Sequence, residues 1–482
     1  MGIRTGEQLL QSLRDDRLLF IDGARVKDVT TDPRFASAAQ SLAELYDMQH
    51  DAALIERMTF LSPTSGERVG LSFVVPRTRE DLERRRAMML QWARATCGMM
   101  GRSPDFMNVT FAAWAGAADY FARSRPAFGA NIRRYYEHIR ERDLTLTHAL
   151  INLQRSRTMS GVVNAEEGTA LQVIRETDAG VIVRGARVLA TLAPFSDEIA
   201  VYSPRVAQLG DAHSPFALNF ALPVGAPGLR FLCRESFDLG RPAAEHPLGA
   251  RFDEMDCVAF FDDVLVPWER VFLLGDVALV NGTGIVTGSS VHSAHQNAVK
   301  NLAKCEFVLG VALLMTKTLG TGSLPHSEER LGELMMYTEL IRACVRAAEA
   351  DAALDEWGVM RPAVMPAEIT RNLFTTAYPR MVEILQLLGS SSFMITPGEA
   401  DFAGPLKPAI EQYLATDTAS ARERVTLFRL AWDIAGSAFG GRQVLYERFF
   451  ASDPLSRARF LGAIYPKDEL MRRVRDFLDR DL

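Results

Sequence analysis

Over the first third of the chain, apolar residues recur at the spacing of a helix face. Phe35, Ala38, Leu42, Leu45 and Tyr46 share one stripe, and the run Leu82 to Trp92 repeats the pattern with a charged opposite face. Gly98, Gly101 and Pro104 interrupt it. Between roughly 146 and 275 the period shortens. Gly180-Val-Ile-Val-Arg-Gly, Ile199-Ala-Val-Tyr and Cys257-Val-Ala-Phe-Phe are short β-branched or aromatic runs bounded by Gly, Asp or Pro, which predicts an antiparallel sheet or barrel. Helical spacing returns at 291–319, 327–356, 367–389 and 406–438, and four such helices predict a bundle. The expected architecture is α+β and mostly α, with a helical domain over 1–145, a β-barrel over 146–280 and a four-helix bundle over 281–482.

Helix, then sheet, then bundle is not the alternation that builds a doubly wound parallel sheet, so no dinucleotide-binding crossover is expected. Asn281-Gly-Thr-Gly-Ile-Val-Thr-Gly follows no clear strand and reads as a linker before a helix. A length of 482 residues exceeds what one core fills, in keeping with several domains. The net charge is only -6, from 60 acidic and 54 basic residues, which argues against nucleic acid as a partner. Cys97, Cys233, Cys257, Cys305 and Cys344 lack the spacings of a disulfide framework or a zinc site, so a reducing cytoplasm is expected and no metal. The charged N-terminus has no signal-peptide core, and no apolar run approaches the ~20 residues needed to cross a bilayer.

Few residues stand out as chemistry. His50, His138, His213, His246 and His326 lie in polar, surface-like contexts, and His292 and His295, three apart on a helix, lack a third metal ligand and read as packing or interface residues. His148 differs, because it sits in an apolar, strand-like run at the junction of helical and sheet regions, where ligand clefts tend to form. Gly101-Arg-Ser-Pro-Asp-Phe106 places a permanent cation, Arg102, beside a carboxylate in a polar turn. Gly436-Ser-Ala-Phe-Gly-Gly-Arg442 is either a glycine-rich helix stop or a place where backbone amides approach an anion.

Taken together, Ile21 to Pro33, Met100 to Asp105, Thr147 to Asn152, Glu176 to Thr191, Arg251 to Asp256, Asp263 to Glu269 and Ala438 to Glu447 resemble the 4-hydroxyphenylacetate 3-hydroxylase (oxygenase component) family, in order and over nearly the whole chain. The resemblance implies an acyl-CoA dehydrogenase-like fold assembled as a homotetramer. It implies FAD, supplied reduced by a separate NAD(P)H-flavin reductase, with O2 as co-substrate and a small aromatic substrate to hydroxylate. It implies catalytic roles for Arg102 and His148, with His148 hydrogen-bonding the substrate hydroxyl, and substrate contacts for Phe106 and Ser203. Flavin contacts are implied for His148, Gln154, Arg155, Ser156, Arg157, Thr191, Gln296, Gly440, Gly441, Arg442 and Gln443.

The sequence also departs from that family. Phe106 stands where a Tyr is usual, Leu153-Gln-Arg-Ser-Arg157 replaces Pro-Pro-Ile-Asp-Arg, and Leu192-Ala193 replaces Asn-Ser. A pocket that loses a hydroxyl partner discriminates differently, so a larger phenol, an aminophenol or a carrier-tethered aromatic is expected in place of 4-hydroxyphenylacetate. Two alternatives remain at this level: a thioester dehydrogenase or dehydratase on the same fold, and a flavin-binding protein without catalysis.

Overall fold

The computed structural model describes residues 2–153, 169–202, 212–238 and 240–479. Helices begin where side chains can satisfy the first free amides. Thr78 and Asp81 form a reciprocal cap on Arg79–Ala95, and Ser420 and Glu423 do the same for Ala421–Ala435. The helix Ser289–Leu319 runs between two left-handed glycines, Gly288 and Gly320, and every residue from Val291 to Cys305 is buried. It packs against Arg79–Ala95 and Asp105–Gly116 on one side and Pro325–Ala350 and Val364–Gly389 on the other. The helix is thus the axis that joins the first helical region to the last.

Two of the four expected bundle helices appear within three residues of their predicted bounds, and a third, expected over 327–356, ends six residues early at Ala350. The fourth does not run unbroken over 406–438: Lys407–Tyr413 ends before the Ser420 cap, which opens Ala421–Ala435. Asn281 to Gly288 is no linker either, since Asp276 caps a helix Val277–Val286 through the Leu279 amide.

Strands supply the middle layer. A seven-stranded sheet runs Ala24–Val26, Leu19–Ile21, Leu229–Cys233, Cys257–Pro267, Gly180–Val188, Ile151–Asn152, with Gln172–Thr177 also paired to Gly180–Val188. A four-stranded sheet runs Val271–Asp276, His213–Pro223, Glu198–Val201, Leu146–Ala149. Leu146–Ala149 and Glu198–Val201 pair in parallel, in register Leu146 with Glu198, and every residue of both is buried. The two sheets face one another, as where Phe220 meets the Phe261 ring edge-on at 6.1 Å.

The expected closed barrel is therefore corrected: among the described residues no strand pairing joins the two sheets. Closure needs one edge strand to return to the other. Here the hairpin Leu19–Val26, from the N-terminal stretch, takes one edge, and the helix Asp105–Gly116 lies beside Leu146–Ala149. No described helix is long and apolar enough to cross a membrane.

Candidate active site

Four separate pieces of chain converge near one end of the four-stranded sheet. Arg102 lies in the turn before Asp105–Gly116, His148 on the strand Leu146–Ala149, Thr191 just beyond Gly180–Val188, and Arg442 on the helix Ala438–Phe449. Arg102 is only 8% exposed. Its guanidinium carbon stands 4.0 Å from the ring centre of Phe106, 4.6 Å from that of Phe450 and 5.6 Å from that of Tyr446. Such cation–π contacts offset part of the cost of burying the charge, at ~1–2 kcal/mol each where water is excluded. They do not neutralise it. Arg102 Nη1 has no hydrogen-bond partner and the guanidinium no ion pair among the described residues, so the box holds a dry cation open to an anion.

His148 also stacks on Phe106, ring centres 5.4 Å apart at 29°, with Tyr202 at 6.0 Å. Burial, and then the positive charge of Arg102, hold its imidazole well below the usual histidine range. His148 is therefore neutral near pH 7, and its Nδ1 has no partner among the described residues.

Two carboxylates with no role assigned from sequence tie these pieces together. Glu254 accepts the Arg102 amide at 2.5 Å and Arg442 Nη1 at 2.9 Å. Asp256 accepts Arg442 Nε at 3.0 Å and Nη2 at 2.8 Å, the Thr191 hydroxyl at 2.7 Å and Arg234 Nε at 2.9 Å. Burial alone would push the Asp256 carboxyl up, but Arg442, Arg234 and Thr191 together hold it well below the ordinary carboxylate range. Most of the Arg442 fork is thus spent on protein carboxylates, while Arg102 is the cation left open.

Gly440 to Gln443 lie in the first turns of the helix Ala438–Phe449, not in a loop. Ser437 caps that helix by accepting the Gly440 amide, and a side chain at 440 would meet the Ile434 carbonyl at 2.3 Å. Gln443 donates to the Met99 carbonyl at 2.9 Å and accepts from Lys304 at 2.8 Å. Gln154, Arg155, Ser156, Arg157 and Ser203 fall outside the described residues. His246, expected at the surface, is buried against Asp238, while His292 and His295 are buried against Arg85 and Glu349.

Gln296 meets Asp105, donating to its Oδ2 at 3.0 Å. Burial raises this carboxyl to about 6, against partial relief from Ser103 and Gln296. Its folded value exceeds the ordinary 3.8, so the folded state holds an extra proton between about pH 4 and 6, and stability falls as pH rises through that window. Asp105→Asn removes the charge and keeps an acceptor. Urea unfolding should find the variant more stable than wild type by about 2–3 kcal/mol at pH 8 and no different at pH 4; a gap of the same size at both pH values would contradict the assignment.

Sequence reasoning also missed Tyr446, Phe450 and a buried triad in which Lys300 and Lys304 each reach Glu447 Oε1 at 2.5 Å. One trace of the triad is visible in the sequence: Gln296, Lys300 and Lys304 recur every four residues and so share one face of the helix Ser289–Leu319. The remaining buried bundle glutamates are likewise paired, Glu349 with Arg86 and His295, Glu368 with Arg371 and Arg457. None stands as a free base of the kind thioester dehydrogenation needs. Among the described residues no group of three or more His, Cys, Asp or Glu is arranged to hold a metal.

As a cofactor cradle the site has unspent polar atoms. Arg102 Nη1 and His148 Nδ1 are buried without partners among the described residues, a cationic donor and a ring nitrogen that suit the polar edge of a planar heterocycle.

Comparison with known proteins bears on what that heterocycle is. Models of the 4-hydroxyphenylacetate 3-hydroxylase N-terminal and C-terminal regions match residues 5–273 and 282–479. The chain is 42% identical over 480 residues to the 4-hydroxyphenylacetate 3-monooxygenase oxygenase component of Thermus thermophilus, covering 99% of this chain and 98% of that one. It is 34% identical over 462 residues, 93% of this chain and 85% of the relative, to a Streptomyces globisporus monooxygenase named for a 3-amino-3-(3-chloro-4-hydroxyphenyl)propanoyl group on a peptidyl-carrier protein. A solved oxygenase component of 4-hydroxyphenylacetate 3-monooxygenase, complexed with FAD and 4-hydroxyphenylacetate, superposes with a TM-score of 0.94 at 42% identity, covering 98% of both chains. An archaeal 4-hydroxybutyryl-CoA dehydratase (TM-score 0.88, 17% identity) and a butyryl-CoA dehydrogenase from Megasphaera elsdenii (0.51, 14%) share the fold, which is acyl-CoA dehydrogenase-like.

Proposed function

Because the chain belongs to the 4-hydroxyphenylacetate 3-hydroxylase family, we propose that it is the oxygenase component of a two-component monooxygenase, taking reduced FAD from a separate NAD(P)H-dependent flavin reductase and hydroxylating an aromatic ring with O2. We assign flavin contacts to His148, Thr191, Gln296, the Gln154 to Arg157 segment and the Gly440 to Gln443 turn, and substrate contacts to Arg102, Phe106, His148 and Ser203. The three-part division at 145 and 280, a homotetramer and a cytoplasmic location belong to the same reading. Exposed apolar side chains on two bundle helices, Leu313, Leu314, Met335, Met336 and Leu340 at 40–53% exposure, support a partner copy.

Bound reduced FAD supplies the electrons that activate O2 for transfer of one oxygen atom. The chain does the rest by positioning and charge. A phenol oxygen beside Arg102 gains a dry cation, which favours the phenolate and makes the ring more electron-rich. His148 sits opposite as a hydrogen-bond partner for that oxygen. It is a weak proton sink, because a protonated imidazole would stand next to Arg102 without a counter-ion. Phe106 packs against both with an apolar ring, and burial of the whole group excludes water. The missing Phe106 hydroxyl, together with a carrier-bound relative, favours a larger or carrier-tethered phenol or aminophenol over free 4-hydroxyphenylacetate.

The observation that carries this reading is the buried Arg102 charge, unpaired among the described residues, packed with a neutral His148 against the same Phe106 ring. The test supplies the protein with NADH, FAD and a generic flavin reductase, and offers phenols, aminophenols and carrier-tethered aromatics under isotopically labelled O2. One labelled oxygen atom is expected in at least one product by mass. Oxygen consumption that ends entirely as hydrogen peroxide with every substrate would sink the proposal.

A further inference from the structure

We propose that the Tyr446 hydroxyl is a substrate-contacting group, the donor that holds the phenolate oxygen of the aromatic substrate against Arg102. The proposal rests on the reading of the site as a phenol hydroxylase and adds a residue to it.

Three cations surround this ring. The guanidinium carbons of Arg102 and Arg442 stand 5.6 and 4.7 Å from its centre, and Lys300 Nζ stands at 5.5 Å. Its hydroxyl is buried and has no partner among the described residues. The tip of the side chain abuts Gly101, the residue before Arg102, where a side chain would lie 2.2 Å from the hydroxyl oxygen. Glycine there makes the room that brings an O–H to the Arg102 turn. Tyr446 also continues the wall of the cleft: it stacks on Phe450 at 5.4 Å, and Phe450 meets Phe106 edge-on at 6.3 Å.

The other rings do not supply this donor. Phe106 and Phe450 have no hydroxyl, and that of Tyr202 rests against the Met107 sulfur at 3.9 Å. A buried hydroxyl without a partner is costly, whereas phenylalanine would fill the same space without that cost. A hydroxyl kept here is explained by a partner that arrives with the ligand, and an oxygen anion is the ligand group that the surrounding cations select. Burial, outweighing Arg102, pushes the Tyr446 phenol well above its ordinary range, so it remains a donor throughout the working pH.

4-Nitrophenol is a suitable probe, because its phenolate absorbs in the visible and reports ionisation on binding without turnover. The wild type is expected to bind it as phenolate, with the bound ionisation midpoint shifted to lower pH. Tyr446→Phe should raise that midpoint by about one pH unit, a tenfold loss of preference for the anion, with the thermal unfolding midpoint of the ligand-free protein no lower than that of wild type. Adding Phe106→Tyr, which puts a hydroxyl on a ring 4.0 Å from the guanidinium, should restore at least half of the shift. A Tyr446→Phe midpoint equal to wild type, in an enzyme that forms product, overturns the Tyr446 assignment alone. A Tyr446-dependent midpoint in a protein that forms no product from any phenol would instead leave the assignment standing and overturn the hydroxylase reading.

Discussion

Arg102→Met should lower kcat/KM for product formation by about 10³-fold, the upper range for deleting a preorganised donor in a dry site. The thermal unfolding midpoint should move by no more than a few degrees. The two halves of this expectation have separate causes. The guanidinium is the charged group in the Phe106, Tyr446 and Phe450 box, and no carboxylate is left stranded when it goes. Glu254 binds the backbone amide at 102 and the Arg442 side chain, so its contacts survive the substitution. Methionine fills much of the volume of the arginine stem and makes favourable contacts with the rings, which limits the structural cost. What disappears is the positive charge that favours the phenolate. Steady-state assays with a generic reductase, reading product and oxygen consumption together, separate this from a flavin-binding defect. Oxygen consumption with reduced FAD alone should stay near wild type. If kcat/KM falls less than tenfold in a well-folded Arg102→Met protein, the cation is not what activates the substrate.

How much of this was legible beforehand depends on how local each feature is. The long helices announce themselves because a buried stripe repeats within the element, and the Ser289–Leu319 axis was located to within two residues. The break before Ala421 was missed because the apolar positions on either side were read as one stripe; the polar run Thr416-Asp-Thr-Ala-Ser420 and the Ser420 and Glu423 cap mark the new start. The barrel was over-read because alternation along a strand reports burial, not which strand lies beside it. At the site, Arg102 and His148 were picked out as residue types in unusual settings, with family resemblance giving them roles. Glu254, Asp256, Tyr446 and the Asp105–Gln296 pair were not, since their partners lie tens to hundreds of residues away and nothing in the local spacing links them. The glycines at 440 and 441 suggested a helix stop, yet the Ser437 cap and the following Val444, Leu445 and Tyr446 carry them into a helix.

His148→Ala should uncouple the enzyme, lowering product formed per O2 consumed by about 10²-fold while the affinity for reduced FAD changes less than threefold. The low end of what a positioned proton-handling group contributes is the fitting scale, because this imidazole is a poor base. Its value lies well below 6.5, pulled down by burial and by Arg102, so it is neutral across the ordinary working range and acts by position. Removing it leaves a hollow beside Phe106, lets the phenol oxygen turn away from Arg102, and admits water to a site whose charge effects depend on dryness. The sign of the pH dependence follows from the same shift. A histidine whose folded value is depressed stays neutral as pH falls through 6.5, so wild-type coupling between pH 6 and 8 should show no step assignable to His148. His148→Asn, which keeps a hydrogen-bonding group but cannot titrate, should recover part of the coupling and give the same flat profile. A wild-type coupling curve with a midpoint near 6.5 that vanishes in His148→Asn would show instead that the imidazole works by gaining and losing its proton. In that case Arg102 could not be as close to it electrostatically as the shared Phe106 wall places it.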